Sequence, residues 1–376
     1  MKIIYLSSVK FPTDKAYGIT IKYTVQALVD LKHTVSIFDF NKLTSRQDNK
    51  HMTGLITKTL NFTQKILSGF PRLKFKFTQM ILVVAFMSRG IRGTDLIWTR
   101  EPIFAFVLSF FGRANCFVVE IHNVFGRLDK FLLRLTQLRS RLILAPISPF
   151  LYKEMISSKF HFKEGLIVMC PMGVPDFFYS QQSKYMSRKK WYPYQLTYSG
   201  SLKSIGVSNG VKDLINALAS ICEDPRLDHL VLTLVGIENE EIPRLKSTYS
   251  ELIESKKLFV YPRVSHEQLL LFLQEADMLV IPYPHNKAFQ GRFPIKAMEY
   301  AAVAKPILCT DTPNHRDIFS PDEVWFYQPG DVDSLNAAIR EIQINPARVR
   351  VKVINAFAKS LTYTYKSRVS QVMDLV

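Results

Sequence analysis

Short apolar runs that look like strands alternate with helix-like segments along almost the whole chain, and that alternation predicts parallel sheets wrapped by helices. In the first half the strand-like runs fall at 2–8 (KIIYLSS), 33–39, 95–99, 116–122 (CFVVEIH), 142–148 and 166–170. A second series follows at 195–200 (QLTYSG), 229–236, 258–262, 277–283, 306–310 and 324–327, with helices predicted over 211–221, 265–276 and 294–304. Between the series, 180–193 (SQQSKYMSRKKWYP) is polar and basic without apolar periodicity, and reads as a linker. A chain of 376 residues is long for one core. The expectation is therefore an α/β protein with domains at 1–178 and 194–358, and a last amphipathic segment, 359–376, that packs back on the first domain. Ligands of doubly wound sheets bind outside the carboxyl ends of the strands, so an interdomain site is expected.

The charge is lopsided. Of the formal net +17, residues 1–175 hold 25 Lys and Arg against 10 Asp and Glu, and the rest hold 24 against 22. Between Asp48 and Asp95 no acid occurs, while Lys50, Lys58, Lys65, Arg72, Lys74, Lys76, Arg89 and Arg92 are interleaved with Leu, Ile and Phe. Three readings fit this 50–92 stretch: a basic amphipathic surface for an anionic membrane, a groove for nucleic acid phosphates with Phe75 and Phe77 as stacking platforms, or a solvated face. No apolar run approaches the ~20 residues of a spanning helix. The amino terminus is too short in apolar residues for a secretory signal, which predicts a cytoplasmic protein, peripheral at the inner face of the membrane. The four cysteines, Cys116, Cys170, Cys222 and Cys309, are scattered without a histidine at ligand spacing and read as buried free thiols.

The most informative stretch is GRFPIKAMEYAAVAKPILCTD, 291–311. Pro294 suits the first turn of a helix that begins near Phe293. The free amides and positive dipole of that helix start, with Ile295, Arg292 and Lys296 beside it, suit an anion such as a diphosphate. Helical side chains lean toward the amino end, so Glu299 can reach back and accept hydrogen bonds from two vicinal hydroxyls of a ribose. The plain alternative is a glutamate pointing to solvent.

At this point the sequence resembles the retaining glycosyltransferases of family 4, whose GT-B fold has two facing Rossmann-like domains with an interdomain cleft. FPIKAMEYAAVAKPILCTD is similar to their nucleotide-sugar motif, KFPTDKAYGITIKYTVQAL to the first glycine-bearing loop, VVEIHN to the strand ending in a donor-contacting histidine, and ISPFLYKEM and MGVPDFF to landmarks before the linker. LTYSGSL, GVKDLINAL, LTLVG, EADMLVIPY and FYQPGDVDSLNAAI recur in family order. Four positions depart from the pattern: Gly291 stands where the first of two paired glutamates is common, Asn209 for a lysine, Ser201 for an arginine, and Ala304 for a glycine.

The resemblance implies transfer of a sugar, with retention, from a nucleoside diphosphate donor to a hydroxyl of a glycan or lipid-linked acceptor in cell-surface polysaccharide or glycolipid synthesis. It implies donor contacts at Gly18, Gly200, Ser201, Lys203, Arg292, Phe293, Pro294, Ile295, Lys296 and Glu299, and catalytic contributions from His122, Lys203 and Arg292. His122 is expected to donate to the transferred sugar, or to offer a backbone carbonyl to its developing charge. Gly18 either lets a ligand approach the backbone or simply starts a helix. Asp331 and Asp333 look like a metal-binding pair but stand where a helix cap is expected. No metal, no cofactor and no nucleic acid partner is predicted. A catalytically impaired donor-binding protein is the alternative, suggested by Gly291, Asn209 and Ser201 together; a basic nucleic-acid-binding protein is a further one.

Overall fold

The computed structural model of the chain describes residues 1–13, 15–39, 71–87, 93–179, 195–204, 206–221, 224 and 227–376, with side chains of the 71–87 helix from residue 78 onward. The side chains of the eight cations of the 50–92 stretch, the 180–193 segment and Cys222 lie outside what is described. The chain divides into two compact units, Met1–Pro171 with Tyr365–Val376, and Met172–Thr364. Each is an α/β unit in its own right.

The first unit holds five strands, β1 (Lys2–Leu6), β2 (Thr34–Phe38), β3 (Thr94–Thr99), β4 (Ala114–Ile121) and β5 (Arg141–Pro146), all parallel in the order β2-β1-β3-β4-β5. β4 is buried on both faces from Cys116 onward, which is why it reads as an unbroken apolar run broken only by Glu120. The strand predicted at 166–170 is not one. Glu164–Leu166 is a 3-10 turn and Ile167 makes a lone bridge to Leu144. The Val168 and Cys170 amides donate to the Leu144 and Pro146 carbonyls at 3.0 and 2.8 Å, but Pro146 has no N–H to return, so the ladder cannot close.

Glu120 organises this unit. Tyr5, Trp98, Val118 and Glu120 share one face of the sheet, covered by the helices Ala16–Asp30 and Tyr365–Met373. Glu120 is fully buried, yet both oxygens are occupied: Oε1 accepts from Trp98 Nε1 at 2.7 Å and meets Arg368 Nη2 at 2.9 Å, while Oε2 meets Arg100 Nε at 3.1 Å and His122 Nε2 at 2.7 Å. Arg368 also donates to the Pro171 carbonyl and to Thr24 Oγ1, at 2.9 and 2.8 Å. Burial alone would push the Glu120 carboxyl up, but Arg368, Arg100 and the His122 bond overcome it and hold it well below the usual carboxylate range.

The second unit holds β6 (Gln195–Ser199), the small antiparallel pair β7 (Lys203–Ser204) and β8 (Val207–Ser208), then β9 (Val231–Ile237), β10 (Leu258–Pro262), β11 (Met278–Ile281), β12 (Ile307–Thr310) and β13 (Trp325–Tyr327). Its main sheet is parallel throughout in the order β10-β9-β6-β11-β12-β13. The chain moves outward from β6 in one direction through β9 and β10 and then crosses back to β11, the doubly wound order with its switch point between β6 and β11.

Removing one partner of a buried ion pair leaves an uncompensated charge. Arg368→Met is accordingly expected to lower stability by about 3–5 kcal/mol in urea unfolding. An unchanged midpoint and slope would show that the Glu120 cluster does not hold the carboxy-terminal helix in place.

Candidate functional site

Two strand ends and one helix start converge at the switch point of the second unit. β6 runs into Gly200, and β11 runs through a loop into the helix Ile295–Ala302. That helix starts at Ile295, two residues later than expected, with Pro294 as the residue before its first turn. No side chain caps it and no acid lies in its first turn; the Ala297 amide donates to the Pro294 carbonyl at 3.0 Å, which leaves the amides ahead of it and the dipole for an anion.

Lys296 is the centre of the arrangement. Its ammonium lies 4.0 Å from the ring centre of Tyr198 and 5.1 Å from that of Tyr283, on the ring faces where a cation is favoured. A Cβ at Gly200 would stand 2.7 Å from the same nitrogen, and one at Gly236 3.2 Å from the Gly200 amide. Gly200 and Gly236 also have φ of +128° and +93°. The backbone of β6 thus comes close enough to the lysine only because neither position carries a side chain. Burial pulls the Lys296 ammonium down to about 7, against the opposing pull of Glu299.

Tyr300, one turn on, locks this geometry: its hydroxyl accepts from the Ser199 amide at 2.8 Å and lies 3.0 Å from Ser199 Oγ. On the other side of Gly200, the Ser201 carbonyl accepts from Tyr198 Oη at 2.7 Å and Asn209 Nδ2 at 2.8 Å. Asn209 is buried, so the residue that replaces a family lysine secures the 200–209 loop. Lys203 follows on β7 with its side chain exposed, whereas Arg292 is partly buried beside Tyr283, with burial lowering its pKa and Tyr283 opposing. Phe293 is buried and stacks on Tyr363, with ring centres 5.6 Å apart, so its side chain serves packing.

Glu299 is only 3% exposed, and neither points to solvent nor stands open at the helix start. Its Oε1 lies 2.7 Å from His266 Nε2, and His266 is in turn packed against Phe177 and Phe178, with ring centres 5.6 and 5.1 Å away. Any ribose contact therefore has to be made beside an existing histidine bond. Next to Lys296, across the Tyr283 ring, a cavity of about 170 Å³ is lined by Tyr283, His285, Asn286, Lys287, Phe289 and His315.

Gly18 and His122 belong to the first unit. A Cβ at Gly18 would overlap the Thr13 carbonyl, so the close approach at that glycine is made by its own loop. His122 is held neutral: burial and then Arg100 lower its pKa to about 4, against the Glu120 bond. With one ring proton facing a carboxylate oxygen, Nε2 donates to Glu120 and Nδ1 is left as an acceptor. The ring proton expected to reach a sugar is thus already committed. Asp331 caps the helix Val332–Ile344 by accepting from the Ser334 amide at 2.9 Å, and among the described residues no group of three potential metal ligands comes together.

Sequence reasoning missed Tyr198, Tyr283, Tyr300 and His266. The last was within reach, because Ser265 and Gln268 form a capping box that places His266 on the first turn of a helix at the carboxyl end of β10.

Residues 194–359 match the family model described as glycosyl transferases group 1. That segment is a glycosyl transferases group 1 domain. Comparison with curated proteins returns no match. Among solved structures, similar folds include sucrose-phosphate synthase from Thermosynechococcus elongatus, 18% identical with a TM-score of 0.68, covering 100% of this chain and 98% of that one. A UDP-forming α,α-trehalose-phosphate synthase from Burkholderia xenovorans is 13% identical with a TM-score of 0.67, covering 100% and 98%. Anabaena HepE in complex with UDP-glucose is 13% identical with a TM-score of 0.62, covering 100% and 99%. The fold is that of the GT-B glycosyltransferases.

Gly210 tests how tightly the site is built. It has φ of +78°, and a Cβ there would overlap the Pro282 carbonyl of the loop after β11. Gly210→Ala is expected to cost about 3 kcal/mol through combined strain and overlap. Thermal unfolding indistinguishable from wild type would show that the loop yields.

Proposed function

We propose that the protein is a glycosyltransferase that takes a nucleoside diphosphate sugar as donor and transfers the sugar, with retention, to a hydroxyl of a glycan or lipid-linked acceptor. The observation that carries the reading is the uncapped start of the Ile295–Ala302 helix with the Lys296 ammonium beside Gly200, at the switch point of a group 1 domain. UDP and UDP-glucose are bound by HepE of the same fold, and a uridine diphosphate donor is the first to try.

In the proposed reaction the bond between the anomeric carbon and the diphosphate oxygen breaks, and the diphosphate keeps the electron pair. The acceptor oxygen bonds to the anomeric carbon, and its proton passes to the leaving diphosphate. The protein's part is electrostatic: helix amides and Lys296 face the oxygen on which charge develops, with Arg292 and Lys203 as further cations. This assignment asks nothing of a metal ion. His122 enters with an acceptor nitrogen rather than a donor, suited to a sugar hydroxyl. Glu299 takes the ribose with the oxygen not bonded to His266.

A donor-binding protein without transfer activity is the second reading, and Gly291 favours it. Its φ of +77° is one that glutamate adopts only at a cost, so the backbone itself, and not just the side chain, departs from the paired-glutamate pattern. Product analysis by NMR with a UDP-sugar panel separates the two: a transferred or hydrolysed sugar supports the enzyme, and donor binding without turnover supports the alternative.

Lys296 makes the binding step testable by pH. A diphosphate favours the protonated lysine, so binding above the free value of about 7 must first take up a proton. Affinity for UDP, measured by calorimetry, is expected to be flat below that value and to weaken by up to about tenfold per pH unit above it. Lys296→Met should abolish this slope and weaken binding at pH 6 by about 100-fold. Glu299→Gln keeps the shape that Glu299→Ala would lose, and should weaken UDP while leaving unfolding cooperative. Wild-type affinity and slope in the lysine variant would refute the assignment.

A further inference from the structure

Helices at a protein surface turn their apolar stripe inward, and the Arg127–Arg139 helix, whose buried Leu133 follows that rule, carries a second apolar stripe outward. Thr136 and Gln137 are buried, whereas Leu128, Phe131 and Leu138 are 60%, 49% and 64% exposed. With the half-buried Leu135 they fall at i, i+3, i+7 and i+10, one continuous stripe about 15 Å long. The inward polar residues are employed: Gln137 Oε1 accepts from the Lys163 amide at 3.0 Å, and Thr136 Oγ1 donates to the Leu132 carbonyl at 2.8 Å. Leu133, Thr136 and Gln137 thus hold the inward face, and the outward stripe is left exposed.

The stripe continues onto the next helix. Phe110 and Phe111, at the end of the helix Pro102–Phe110, are also exposed, and the Arg139 guanidinium lies 3.8 Å from the Phe110 ring centre, where it joins the two helix ends. Arg127, Arg134 and Arg139 flank the apolar residues on the helix itself.

We propose that this face of the first unit, formed by Leu128, Phe131, Leu138, Phe110 and Phe111 with Arg127, Arg134 and Arg139, docks on an anionic lipid surface, with the helix lying in the interface plane. Charge selects this occupant. A second copy meeting the same face about a two-fold axis would set one arginine-flanked face against another, a like-charge contact, whereas lipid phosphates neutralise the arginines as the apolar stripe enters the acyl boundary. The helix has 13 residues, and among the described residues none is long and apolar enough to cross a membrane, so the contact is one of surface binding. This surface uses none of the 50–92 cations and does not depend on the sugar chemistry.

The test is sedimentation of the full chain with phosphatidylcholine vesicles and with vesicles of equal phosphatidylcholine and phosphatidylglycerol, at 0.1 M and 0.5 M salt. Binding to the anionic vesicles alone, weakened by salt, is expected. The triple variant Leu128→Ser/Phe131→Ser/Leu138→Ser should lose about 100-fold in partition coefficient. Arg127→Gln/Arg139→Gln should lose at least about tenfold on anionic vesicles. Circular dichroism of each variant checks the fold. Phe131→Trp gives an independent reading, since its added fluorescence should be quenched by brominated acyl chains. Wild-type partition in the triple variant, no quenching of the new tryptophan, or a dimer in sedimentation equilibrium that the triple variant dissociates would each overturn the proposal.

Discussion

A single ammonium group held against the backbone sets the geometry of the second unit. Lys296 is placed over two tyrosine rings and against Gly200, where it is half-buried and no carboxylate is bonded to it in exchange. Its depressed pKa records that cost. Between about pH 7 and the ordinary lysine value, the unfolded chain binds more protons at this residue than the folded one, so the group contributes stability that rises with pH across that window. A diphosphate would reverse the sign of the effect, because it supplies the charge partner the fold withholds. Gly236 behind Gly200, and Tyr300 bonded to Ser199, exist in this arrangement to keep the lysine where it is.

Glu120 in the first unit shows the opposite solution to the same problem. It is as deeply buried as any charge in the described chain, yet three hydrogen-bond donors and the Arg368 guanidinium converge on its two oxygens and the carboxylate stays ionised. A charge satisfied within the protein has nothing left for a ligand, and its consequence is architectural: Arg368 fastens the last helix of the chain to the sheet that begins it. His122 is drawn into the same cluster, which fixes its tautomer and so determines what it can offer. The contrast gives a physical criterion for separating charges that build a fold from charges that await a partner.

Much of this was legible in the residues and some was not, for identifiable reasons. Parallel strands buried on both faces, such as β4, announce themselves as apolar runs, and Pro294 marks its helix start to within a residue or two. The segment at 166–170 carries the same apolar signal, but whether a run becomes a strand depends on what its neighbour can donate, and Pro146 donates nothing. Lys296 and Gly200 could be named from local context, whereas their contact is a property of strand order. Tyr198, Tyr300 and Tyr283 are spaced across more than a hundred residues and meet only at the switch point. Glu299 was legible as a helix position; its bond to His266, thirty-three residues away, was not.

The departures from the family pattern acquire meaning only with this geometry. Asn209 and Ser201 do not simply delete two cations: together with Tyr198 they close a hydrogen-bonded loop whose carbonyl is doubly bonded and whose backbone leads directly to Gly200. With Ser201 and Asn209 so employed, Lys296 is the cation held against Gly200 itself, with Lys203 further along the same loop and Arg292 beside Tyr283, and partial desolvation strengthens its field. The low pKa of Lys296 and the neutral residues at 201 and 209 thus bear on the same strand end, where a partly desolvated lysine stands beside a loop held by hydrogen bonds rather than by charge.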